Sequence, residues 1–104
     1  MPAATIFALA SGAGRAGIAV IRISGPSALA ALEGLSGCSG FLPRRARRVH
    51  LRAADGGRLD TGIALWFPAP HSFTGEDVAE LHVHGGRAVI ADVLAALGRC
   101  AGLR

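Results

Sequence analysis

The chain has 104 residues, 51% of them hydrophobic and 17% charged, with a formal net charge of +4. That length fits one domain, and the hydrophobic content excludes a disordered chain. No apolar run approaches the ~20 residues of a membrane-spanning helix, and the absence of Lys excludes a Walker A loop and a Schiff-base enzyme.

Thr5 to Ala10 reads as a short strand. Ser11 to Gly17 is a glycine-rich loop. Ile18 to Ser24 reads as a second strand, rich in β-branched residues. Its nearly continuous apolar run predicts burial on both faces, with Arg22 as the interruption. Gly25-Pro26-Ser27 opens a helix in which Leu29, Leu32 and Leu35 share a face, and Gly34 and Gly37 mark its stop. Residues 36–46 form a loop.

Val49 and Leu51 alternate with His50 and Arg52 as in a half-buried strand. Asp55-Gly56-Gly57 is a hairpin turn signal, and Leu59 to Phe67 returns as the partner strand. Ala79 to His84 alternates again: Leu81 and Val83 point one way, Glu80, His82 and His84 the other. After Gly85-Gly86, the residues Val89, Ile90, Val93, Leu94 and Leu97 follow helical spacing. The order β-β-α-β-β-β-α is not a doubly wound alternation. It predicts an α+β fold, a mixed β-sheet covered by two helices, forming a single domain over 1–104.

All eleven basic residues are Arg, a composition that reads as the mark of a GC-rich genome. Cys38 and Cys100 lie far apart and in no C-x-x-C pattern, so two reduced thiols are expected. Ala8-Leu9-Ala10 mimics a signal-peptidase site, but no Lys or Arg precedes it and its apolar run is short. A signal peptide is therefore rejected and a cytoplasmic location expected.

Gly12-Ala13-Gly14-Arg15-Ala16-Gly17 matches G-x-G-x-x-G, yet a strand rather than a helix follows. No acidic residue stands ~20 positions on, so a dinucleotide fingerprint is not expected. Arg44-Arg45-Ala46-Arg47-Arg48 is the densest charge. It is either a solvated basic loop or a phosphate-binding segment, without interleaved aromatic residues for base stacking. His82 and His84 share a strand face and form a usable pair of metal ligands. Zinc needs three or four, and nothing in the spacing brings in His50 or His71. Arg22 and Glu80 each interrupt an apolar strand. A buried charge needs a partner, so they are either a structural ion pair or a polar ligand site. In the second case the carboxylate accepts two parallel hydrogen bonds from an amidine-like edge, such as that of a pterin.

Ile18-Ala19-Val20-Ile21-Arg22-Ile23-Ser24-Gly25-Pro26 resembles the opening of the MnmE (TrmE) family of tRNA modification GTPases. So do Thr5-Ile6-Phe7-Ala8 and Gly62-Ile63-Ala64-Leu65-Trp66-Phe67-Pro68-Ala69-Pro70. Ser72-Phe73-Thr74-Gly75-Glu76-Asp77-Val78, continuing through Glu80-Leu81-His82-Val83-His84-Gly85-Gly86, resembles it most closely. The blocks keep the family's order across nearly the whole chain.

The resemblance implies the family's N-terminal domain, with a fold similar to the tetrahydrofolate-binding module of the glycine-cleavage T protein. It implies binding of 5-formyl- or 5,10-methylene-tetrahydrofolate, a homodimer, and Arg22 and Glu80 as folate contacts. For the complete family protein it implies GTP, Mg2+ and K+ sites outside this chain, an MnmG-like flavoprotein partner, and tRNA modified at C5 of the wobble uridine. The folate there is the one-carbon donor, and no membrane is involved.

Where family loops read Pro-Pro-Gly-Arg-Gly-Gly, this chain has Gly12-Ala13-Gly14-Arg15-Ala16-Gly17, which predicts a less rigid loop. The chain stops at Arg104, before the family's Pro-Gly-Glu-Phe segment and its GTPase domain. The isolated chain is thus expected to lack GTP hydrolysis and catalysis of its own. Two readings from other classes stand beside this one: a small Arg-rich RNA-binding module on Arg44 to Arg48, and a metal-dependent enzyme on His82 and His84.

Overall fold

The computed structural model describes residues 4–10 and 17–104; Ser11 to Ala16 of the glycine-rich loop lie outside the described residues. Five strands and two helices follow in the expected order: β1 (Ile6–Leu9), β2 (Ile18–Ser24), α1 (Ala28–Ser36), β3 (Arg47–Arg52), β4 (Arg58–Phe67), β5 (Val78–His84) and α2 (Arg87–Gly98). They form one sheet in the order β1-β2-β5-β4-β3.

Every strand pair is antiparallel, which corrects the expected mixed sheet. The last strand in sequence, β5, is inserted between β2 and β4 and runs against both. Among the described residues parallel pairing survives only as the isolated bridges Thr5↔Leu103 and Pro43↔Trp66. The β3–β4 hairpin turns where Asp55-Gly56-Gly57 placed it. Gly56 has φ 87°, and the Gly57 N–H donates to Asp55 Oδ1 at 2.8 Å.

Both helices cover the same face of the sheet. Ala19, Ile21 and Ile23 of β2, Leu81 and Val83 of β5, Ala64 and Trp66 of β4 and Val49 and Leu51 of β3 meet Leu32 and Leu35 of α1 and Val93 and Leu97 of α2 in one core. The other face of β2 is not buried: Ile18 is 61% exposed, and Val20, Arg22 and Ser24 are half-buried. The expectation of two buried faces is therefore corrected. The β2 apolar run packs against helices on one side only, because no element of the described chain crosses the other.

The turn from β2 into α1 is held by a close approach of the first strand. Gly25 has φ +137°, and a Cβ there would stand 2.6 Å from the Cα of Thr5. Thr5 is itself buried. Its Oγ1 accepts the Ser27 N–H at 2.8 Å, satisfying a helix-entry donor that Ser27's own side chain leaves without a cap bond. At the other end Gly37 adopts the left-handed conformation and its N–H returns to the carbonyl of Glu33, as a glycine cap does.

Candidate functional site on the open face of the sheet

The face without helices carries the charged side chains of the central strands. Register sets Arg22 opposite Glu80 across β2 and β5, and Leu65 of β4 opposite Glu80 on the other side. Strand alternation points all three away from the core. Arg22 donates to Glu80 Oε2 from Nε at 3.1 Å and from Nη2 at 2.9 Å. The His82 Nε2–H donates to the other oxygen, Oε1, at 3.1 Å. The ion-pair reading of Arg22 and Glu80 is thus made in the structure. It includes a third member, His82, which spacing alone offered only as half of a possible metal pair.

Burial raises the Glu80 carboxyl, but the hydrogen bonds from His82 and Arg22 and the nearby charges outweigh it. The result is a carboxylate held below its ordinary value.

His84 is tied elsewhere. Its ring Nδ1–H donates to Asp60 Oδ1 at 2.8 Å and its backbone N–H to Asp60 Oδ2 at 2.8 Å. Burial raises Asp60 too, and the His84 bonds again outweigh it and hold it low. Each histidine of the candidate metal pair therefore faces its own carboxylate. Among the described residues no group of three His, Cys, Asp or Glu is placed to hold a metal ion. Cys38 and Cys100 are free thiols, both half-buried.

Both carboxylates bind fewer protons folded than unfolded near their ordinary values, so stability rises with pH there. We expect stability to be full at neutral pH and to fall as the pH drops below about 4.3 for Glu80 and about 3.9 for Asp60. The thermal midpoint, followed down that range, should fall less steeply in the double variant Glu80→Gln/Asp60→Asn. An equal fall in parent and variant would refute the assignment.

Arg22 also borders a hollow of about 390 Å³ lined by Ile6, Ala8, Ala10, Ser24, Thr74 and Glu76. The loop 72–76 roofs it. Ser24 Oγ and Thr74 Oγ1 share a hydrogen bond at 2.7 Å, and the Ser72 hydroxyl donates to the Glu76 carbonyl. Phe73, 83% exposed, places its ring 4.8 Å from the Arg22 guanidinium carbon. A second hollow of about 200 Å³ lies further along the same face, between Ile18, Arg48, Ile63, His82 and His84. Glu80 sits between the two.

Sequence reasoning singled out Arg22, Glu80, His82 and His84. It attached no role of their own to Asp60, Phe73, Ser24, Thr74 or Glu76. The signal for Asp60 was its place in a strand of otherwise apolar and small residues. Nothing local announces that the 72–76 loop folds back over β2. Arg44 to Arg48, read as one loop, divide: Arg47 and Arg48 belong to β3 and all are exposed.

The arrangement defines a class: an α+β domain with one helix-covered face and one open face that presents a half-buried ionic cluster beside a ligand-sized hollow. Residues 5–104 match the family model described as the GTP-binding protein TrmE N-terminus. The chain belongs to that family. It is 65% identical over 100 residues to the tRNA modification GTPase MnmE of Paramagnetospirillum magneticum, covering 96% of this chain and 22% of that protein. It is 66% identical over 105 residues to the same enzyme of Rhizorhabdus wittichii, covering 96% and 23%. In Parvibaculum lavamentivorans the identity is 58% over 101 residues, with 96% and 23% covered. The chain thus spans about a quarter of the length of these relatives.

Proposed function

We propose that this domain binds a tetrahydrofolate on the open face of its sheet and serves, as a homodimer, a GTPase that modifies C5 of the wobble uridine in tRNA. The observation that carries the reading is the Arg22–Glu80–His82 cluster, which reaches an apolar-walled hollow through Arg22. Its volume of about 390 Å³ falls in the range of small-molecule sites. The donor set suits a pterin: a carboxylate to accept from its amidine-like edge, a guanidinium, and the hydroxyls of Ser24 and Thr74.

When bound, the folate carries the one-carbon unit, as 5-formyl- or 5,10-methylene-tetrahydrofolate. The residues of this chain hold and orient it. A carboxylate offers about four lone-pair sites, and Glu80 already accepts three bonds from Arg22 and His82. Accepting two parallel bonds from a ligand, one on each oxygen, therefore requires Arg22 to give up at least one of its two bonds to Oε2. The guanidinium nitrogen so freed can face the ligand. Ile6 and Ile18, 58% and 61% exposed on the same face, support self-association there. The parent activity, with GTP, Mg2+, K+ and an MnmG-like flavoprotein as partner, is part of the same proposal.

Calorimetric titration of the purified protein with 5-formyltetrahydrofolate tests it. Saturable binding with one site per chain is expected. A folded protein that gives no saturable heat at millimolar ligand would overturn the reading.

A further inference from the structure

Charge on this chain is segregated along the sequence and in the fold. Between residues 44 and 58 stand six Arg, at 44, 45, 47, 48, 52 and 58, against the single acid Asp55. The remaining five Arg are outnumbered by six acidic residues, so this segment accounts for more than the whole net charge of +4. A GC-rich genome explains Arg in place of Lys; it does not explain why six of eleven gather in fifteen positions. The segment is the β3 edge of the sheet and its hairpin return into β4.

All six are exposed, and among the described residues none has a carboxylate partner, unlike Arg22. Three are steadied by neutral groups that leave their charge intact. Arg44 donates to the His71 carbonyl at 3.3 Å, and Arg52 to that of Gly56 at 3.4 Å. Arg47 donates to the Ser39 carbonyl at 2.8 Å, with its guanidinium carbon 4.9 Å from the centre of the Phe41 ring. The guanidinium groups of Arg45, Arg48 and Arg58 have no partner among the described residues. Arg48 and the exposed His50 stand two positions apart, about 6.7 Å along the strand, a spacing comparable to that of successive phosphates in an extended nucleic-acid strand. Arg48 also walls the smaller hollow, beside His82 and His84 and between the apolar side chains of Ile18 and Ile63.

We infer that the β3 edge is a binding surface for the phosphate backbone of a single nucleic-acid strand. The segment presents no exposed aromatic side chain for base stacking, so the contact positions a strand rather than reading its bases. This inference rests on residues other than those of the folate reading, which lie on β1, β2, β5 and the loop 72–76. Guarding a bare sheet edge is the competing role for charges here. It accounts for Arg47 and Arg48 within the strand, but not for Arg44 and Arg45 before it or for Arg58 on its partner.

The test is fluorescence anisotropy of labelled oligouridylate and oligothymidylate with the purified protein, across about 50–200 mM salt. In the triple variant Arg45→Gln/Arg48→Gln/Arg58→Gln, the slope of log affinity against log salt should fall by about 2, at ~0.7 per lost single-strand phosphate. Binding at low salt should weaken at least tenfold, while the charge-matched variant Arg87→Gln/Arg99→Gln/Arg104→Gln keeps most of it. Equal binding of the two oligomers assigns the contact to phosphate alone; preference for the RNA adds the 2′-hydroxyl. Three outcomes overturn the inference. The first is equal loss in the charge-matched control. The second is a triple variant that binds as the parent does, with or without new self-association. The third is binding to anionic phospholipid vesicles that exceeds binding to either oligomer through the same three arginines.

Discussion

Replacing Gly62 with alanine is expected to destabilise the protein by about 3 kcal/mol, the upper end of overpacking costs. That corresponds to a fall of roughly 12–24 °C in the melting temperature. The reason is the closeness of two central strands. A Cβ on Gly62 would lie 2.4 Å from the carbonyl oxygen of His82, with the Val83 side chain 3.4 Å away on another flank. The obstructing atom is backbone in β5, the strand that holds the middle of the sheet, so it has no side-chain rotation to yield by.

Moving β5 aside would also disturb the alternation that presents Glu80 and His82 to the open face. Gly34 is the control. It lies in α1 with nothing near its missing Cβ, so Gly34→Ala should stabilise by about 0.5–1 kcal/mol through helix propensity alone. Circular dichroism melts of the two variants beside the parent decide the matter. A Gly62→Ala protein melting within a few degrees of the parent would mean that the strands do not approach as described.

Glu80→Gln should weaken binding of 5-formyltetrahydrofolate about 100-fold, equivalent to roughly 2.7 kcal/mol, within the range for hydrogen bonds to a charged group. The amide keeps the shape of the side chain but offers one acceptor oxygen in place of two and carries no charge. It cannot receive two parallel bonds from a pterin edge. Arg22→Ala should cost less, about 10-fold. Losing the guanidinium removes a charge from the hollow but also frees Glu80 from the two bonds that compete with the ligand.

The order of these effects separates a binding role from a structural one. A pair that only holds β2 to β5 would lower the melting temperature on either substitution and leave the affinity of the folded protein unchanged. Calorimetric titration of both variants, each checked by its melting curve, gives the answer. Parent-like affinity in Glu80→Gln would remove Glu80 from the site.

Much of the fold was legible in the residues. The seven elements appear in the order read from the sequence, β2 with identical bounds, because strand alternation, helical spacing and turn chemistry act between neighbours. Leu81 and Val83 are buried while Glu80, His82 and His84 face away, as the period of two required. Asp55-Gly56-Gly57 turned the hairpin because the Asp55 side chain and a glycine with positive φ need only each other. Arg22 and Glu80 were legible as charges in apolar strands, and the family from blocks spread across the chain.

What only the tertiary structure decided is who stands next to whom. The partners of β5 follow from where the whole sheet buries most apolar surface, not from any local pattern, and so the all-antiparallel order was not readable. The apolar run of β2 looked doubly buried because residue type does not record how many layers pack on a sheet. The third member of the Arg22–Glu80 cluster, the Asp60 partner of His84 and the loop over β2 all arise from strand register across dozens of residues. Sequence determines the local preferences, because those energies act between residues a few positions apart. The open face and its charge cluster exist only once non-local packing has brought the strands together.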